Sequence, residues 1–122
     1  MKLLIVEDDY FLLKMYKKKF ENEGYEVFVA VDGKQGIEKA AEIMPDMILM
    51  DIMMPKLNGL DALDLLKKDE KTKNIPVVIL TNLSTSDDAD TALNKGAVKY
   101  IIKSDFTPSE VVKEVEEIVA KK

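Results

Sequence analysis

The sequence predicts an α/β domain, a parallel sheet of five strands with five helices packed on both of its faces. Three observations predict it. Five apolar runs alternate strictly with five helix-like stretches. Four of those runs are short and nearly continuous, as strands covered on both faces are. The alternation itself implies right-handed crossovers between parallel strands. A chain of 122 residues is one ordinary domain with a single sizeable core, and no repeat, linker or low-complexity segment interrupts it.

The elements follow in order. Leu3–Val6 reads as the first strand and Tyr10–Glu23 as the first helix. Tyr25–Val31 is the second strand. The helix over Lys34–Met44 is opened by Asp32 and Gln35, and Ile37, Ala40, Ala41 and Met44 are its expected buried stripe. Met47–Met50 is the third strand, followed by a helix over Gly59–Glu70. Val77–Leu80 is the fourth strand, followed by a helix over Asp87–Asn94. Its apolar residues, Ala89, Ala92, Leu93 and Ala97, are mostly small, so it is expected to bury little area and to be the least firmly held. Val98–Ile102 is the fifth strand. The last helix, Pro108–Ala120, has the clearest start: Thr107 at the cap, Pro108 in the first turn, Glu110 three residues on. Val111, Val112, Val115, Ile118 and Val119 then share one face, and Lys121 and Lys122 form a frayed end.

Composition removes several chemistries. Cysteine and histidine are both absent. Disulfides, thiolate nucleophiles, zinc–thiolate sites and the commonest general base go with them. Every basic residue is lysine, and the net charge is −5. Without arginine, and with an acidic balance, direct nucleic-acid recognition is not expected. No apolar run approaches the roughly 18 residues of a membrane span, and the N-terminus lacks a signal-peptide layout, so the expected location is the cytoplasm. Chemistry here falls to carboxylates, hydroxyls, lysines and hard ions.

The strand ends supply those groups. The first strand runs into Glu7, Asp8 and Asp9, the third into Asp51, the fourth into Thr81 and the fifth into Lys103. In a parallel sheet these ends share one edge, where open α/β folds bind ligands. Any one of them is ordinary for a strand emerging into solvent; the combination is not. Crowded carboxylates repel and raise one another's pKa, and a hard divalent cation relieves that. Magnesium fits oxygen donors together with a phosphate oxygen. Asp51 then suits a phosphoryl acceptor, with Lys103 neutralising one phosphoryl oxygen and Thr81 donating to another.

The chain resembles the receiver domain of two-component response regulators. The motifs that carry the resemblance are Leu-Leu-Ile-Val-Glu-Asp-Asp at 3–9, Asp-Ile-Met-Met-Pro at 51–55 with Asn58-Gly59, Ile-Pro-Val-Val-Ile-Leu-Thr at 75–81, and Lys103. It covers the chain from Lys2 to about Ala120 and implies a flavodoxin-like doubly wound sheet in the order 2-1-3-4-5. It implies Asp51 as phosphorylation site and magnesium as cofactor, held by Glu7, Asp8, Asp51 and the backbone carbonyl of Met53. It further implies that Thr81 and Lys103 stabilise the phosphoryl group and that Thr81 with Tyr100 couples it to the surface of the fourth helix, fifth strand and fifth helix. Asp9, just past the acidic pair, is read as a helix-start residue. The implied partners are a sensor histidine kinase or phosphotransfer protein and a downstream output protein. The implied module is a monomer, with dimerisation on phosphorylation open, and not an enzyme beyond its own phosphorylation and dephosphorylation. A single receiver over 1–122 is expected, either stand-alone or the receiver part of a longer protein.

Two residues depart from the family pattern. Asn82 follows Thr81 where a small residue is usual. Ser104 follows Lys103 where a cis proline is usual, so a trans bond is expected there. Three other readings compete. A flavin carrier would need a phosphate cradle where Glu7, Asp8 and Asp9 stand. An aspartate phosphatase would need an acid–base group at Met53. A degenerate receiver acting as a phosphorylation-independent binding module would lack part of the acceptor, metal and lysine set.

Overall fold

In the computed structural model, residues 1–83 and 85–121 are described; Lys122 of the expected frayed end lies outside them. The strands are β1 (Lys2–Val6), β2 (Glu26–Ala30), β3 (Met47–Met50), β4 (Val77–Thr81) and β5 (Lys99–Ile102). The helices are α1 (Tyr10–Asn22), α2 (Gly33–Ile43), α3 (Gly59–Lys68), α4 (Ser86–Asn94) and α5 (Pro108–Ala120). All strand pairs are parallel, in the order β2-β1-β3-β4-β5.

The period-two alternation of strand side chains divides the core in two. Leu3, Ile5, Met47, Leu49, Val78 and Leu80 pack with Leu13, Tyr16 and Phe20 of α1 and with Val111, Val112 and Val115 of α5. Leu4, Val6, Ile48, Met50, Val77 and Ile79 face Ala40 of α2, Ala62, Leu63 and Leu66 of α3 and Ala92 of α4. Both faces of β1, β3 and β4 are therefore buried, which is why those runs read as continuous rather than alternating.

Helix starts carry the expected signals. The Asp9 side chain accepts from the amides of Phe11 and Leu12. Asp32 caps α2 through the Gln35 amide, Asn58 caps α3 through Asp61, and Thr107 with Glu110 forms a full capping box. The α2 stripe differs from expectation. Met44 lies past the helix end in the left-handed region (φ 48°) and is exposed. Gly36 takes the buried position instead, where a Cβ would lie 3.0 Å from the Val6 methyls. Periodicity counted apolar residues, whereas this face needed the smallest one. Of α4, only Ala92 is buried, and Leu93 is exposed.

Candidate functional site

Strand register builds the site. Val6 pairs with Met50, so the next residues, Glu7 and Asp51, leave the sheet side by side. The Asp51 amide still bonds the Val6 carbonyl at 3.1 Å, and the Glu7 amide bonds Ala30 at 3.0 Å, so both backbones remain fixed one residue past the strands. On the other side Thr81 pairs with Ile102, which places Lys103 one step beyond. Gly59, at the start of α3, closes the floor. A Cβ there would sit 2.1 Å from the Asp51 carbonyl oxygen, so only glycine lets α3 pack this close to the aspartate.

Glu7, Asp51 and Thr81 are buried; Asp8 is exposed. Donor atoms of Glu7, Asp8 and Asp51 lie within 4.8 Å of one another. Oxygen-only donors at that spacing suit a hard cation. Asp51 Oδ1 accepts from the Ile52 amide at 2.7 Å and the Met53 amide at 3.4 Å. Its Oδ2 accepts from the Lys103 ammonium at 2.9 Å, and the same ammonium bonds Glu7 Oε1. The Asp9 amide donates to the second Glu7 oxygen at 3.1 Å.

Burial lifts the Glu7 carboxyl above its ordinary pKa, and the bond from Lys103 only partly counters it. Burial alone would lower Lys103, but its bonds to Asp51 and Glu7 outweigh burial and leave it raised. The site is thus a charged pocket held together by its own lysine. Met53 rims the cleft, its side chain exposed.

Away from the carboxylates, the Thr81 hydroxyl accepts from the Leu83 amide at 3.4 Å. The half-buried Tyr100 donates its hydroxyl to the Leu83 carbonyl at 2.7 Å. One backbone unit therefore stands between the two residues expected to work as a pair. Leu83 carried no signal in the sequence, because it acts through its peptide groups and not its side chain.

A family model described as the response regulator receiver domain matches residues 3–116. The chain belongs to the receiver domain family. Among curated relatives, the DNA-binding response regulator MtrA of Mycolicibacterium paratuberculosis is 35% identical over 114 residues, covering 93% of this chain and 49% of that protein. The chain spans about half the length of the curated relatives it matches. Among solved structures, the receiver domain of Francisella response regulator 1452 superposes with a TM-score of 0.89 at 32% identity, covering 98% of this chain and 97% of that one. A chain of the CheX–CheY–BeF3–Mg2+ complex of Borrelia burgdorferi gives 0.90 at 27% identity, covering 98% and 89%. Receiver domains are signalling modules with an acidic pocket for a divalent cation, and here the acidic cluster is Glu7, Asp8 and Asp51.

Every residue expected at the receiver site lines or adjoins one cleft of about 340 Å³, with Tyr100 one hydrogen bond away through Leu83. Asp9 stands apart from the acidic cluster as the cap of α1. In place of the usual proline, Lys103–Asp105 makes a single 3₁₀ turn with trans peptide bonds, and Lys103 still reaches Asp51. Among the described residues no helix is long and apolar enough to cross a membrane.

Proposed function

We propose that this receiver, spanning the chain, is a cytoplasmic phosphoacceptor switch. It takes a phosphoryl group onto Asp51 and changes its α4–β5–α5 surface for an output protein. The observation that carries this reading is the Lys103 ammonium held on buried Asp51, beside carboxylates of Glu7 and Asp8 close enough to share a cation. The phosphodonor is a phosphohistidine of a sensor kinase or phosphotransfer protein. The phosphorus–nitrogen bond breaks as the Asp51 carboxylate forms a phosphorus–oxygen bond.

The donor set fits magnesium. Glu7, Asp8, Asp51 and the Met53 carbonyl would hold it, and when bound it neutralises charge on the phosphoryl oxygens. Lys103 gives up its bond to Glu7 and neutralises another phosphoryl oxygen. Thr81 turns its hydroxyl from Leu83 toward the remaining one. Reaction without an acid–base group suits a transfer in which positioning and charge supply most of the catalysis. The unphosphorylated module works as a monomer, with dimerisation on phosphorylation left open, and does not touch nucleic acid itself.

The test is incubation with a small acyl phosphate and magnesium, followed by intact-mass measurement. A single phosphoryl addition is expected, absent from Asp51→Asn and absent in excess chelator. Equal labelling of Asp51→Asn would remove the assignment.

A further inference from the structure

We infer that Asn82 is a positioning residue for loss of the phosphoryl group, orienting the water that hydrolyses it and so setting how long the signal lasts. The inference rests on the acceptor role proposed for Asp51. It starts from an inventory of the cleft. Glu7, Asp8 and Asp9 are anionic, and Leu12, Met53 and Leu83 are apolar. Lys103 donates only, and it is the group proposed to move from Glu7 to a phosphoryl oxygen. Thr81 has one hydroxyl, and that group is the one proposed to bond the phosphoryl group. The remaining side chain in the lining is Asn82, a neutral carboxamide that both donates and accepts.

Asn82 is free to act. It is exposed, it directly follows buried Thr81, and its carboxamide makes no hydrogen bond among the described residues. Hydrolysis of an acyl phosphate needs a water held in line with the breaking bond. In other phosphoryl hydrolases a side-chain carboxamide does this. The water oxygen forms a bond to phosphorus as the bond from phosphorus to the Asp51 oxygen breaks. Asp51 leaves as carboxylate, and both water protons depart on inorganic phosphate. The Asn82 carbonyl accepts from the water, while its NH₂ donates to a phosphoryl oxygen. Its neighbours Met53 and Leu83 offer nothing equivalent.

The experiment follows decay of the phosphorylated full chain by intact mass after the small phosphodonor is removed, with magnesium held constant. Asn82→Ala is expected to take up the phosphoryl group and lose it roughly three- to thirtyfold more slowly. Asn82→Gln, which keeps the carboxamide, is expected to restore decay to within about threefold of the parent. An unchanged or faster decay in Asn82→Ala would overturn the inference, the faster case showing that Asn82 shields the group instead. So would a Gln variant as slow as the Ala variant. Failure of the parent chain to take up the label strikes the acceptor reading itself, so the two failures are distinguishable.

Discussion

The Tyr100 hydroxyl reaches the Leu83 carbonyl at 2.7 Å, and the amide of the same Leu83 reaches Thr81. The two expected switch residues are therefore joined by one residue of backbone at the start of the segment leading to α4. A metal-bound fluoride mimic of the phosphoryl group should change amide chemical shifts over Thr85–Asn94 and Val98–Ile102. Thr81→Ala should mute those shifts while Asp51 still takes up phosphate. Tyr100→Phe should mute the β5 response in particular. Shifts confined to the cleft, or undiminished in Thr81→Ala, would route the coupling elsewhere.

Lys103 is the internal counter-ion of two buried carboxylates. Lys103→Met leaves Glu7 and Asp51 facing each other without a cation. Breaking such a pair costs about 3–5 kcal/mol when fully buried, and about 2–4 kcal/mol is expected at this solvent-accessible cleft. Urea denaturation without divalent ions reads the loss. Magnesium should recover a large part of it by binding the folded form, and more in the variant than in the parent.

Gly59 and Gly33 hold the loop after Asp51 from two sides. An added Cβ would lie 2.1 Å from the Asp51 carbonyl oxygen at Gly59, and 2.0 Å from the Leu57 carbonyl oxygen at Gly33. Both obstacles are backbone and cannot swing aside. Gly59→Ala and Gly33→Ala should each lower stability by about 1–3 kcal/mol. Gly59→Ala, which displaces Asp51 itself, should also slow phosphorylation in the fully folded protein. Equal phosphorylation rates for the two variants would show that the Gly59 contact serves packing alone.

The capping box of α5 fixes an acid-side dependence. Bonds between Glu110 and Thr107 hold the Glu110 carboxyl below its ordinary value of 4.5. A lowered folded pKa favours the charged form in the native state. Its contribution is therefore fully present above 4.5 and is lost as pH falls through the lower folded value. Glu110→Gln should narrow its stability gap to the parent through that acidic window, and a gap that is constant with pH would contradict the box.

The fold was legible because its signals are local. Continuous apolar runs marked the buried strands, and Thr107, Asp32 and Asp9 marked helix starts. The convergence of Glu7, Asp51, Thr81 and Lys103 followed from one rule, that parallel strands end on one edge. What stayed hidden depends on contacts between distant segments. Gly36 against Val6 and Gly33 against Leu57 are close approaches that no residue pattern announces. Leu83 links Thr81 to Tyr100 through peptide groups common to every residue. The bond from Lys103 to Glu7 needed coordinates, since sequence shows which charges share an edge but not how they pair.

The shallow seat of α4, where Ala92 alone is buried, sets the scale of signal the domain needs. One hydrogen bond from Thr81 to a charged phosphoryl oxygen contributes about 1.5–3 kcal/mol. Against a helix anchored like α3, whose Ala62, Leu63 and Leu66 are all buried, so small a bias would leave the resting arrangement dominant. Against α4 it shifts the ratio of two arrangements by roughly ten- to a hundredfold. On the proposed function the domain would act as a balance near its tipping point, and larger residues introduced beneath α4 should yield a stable protein that takes up phosphate and transmits nothing.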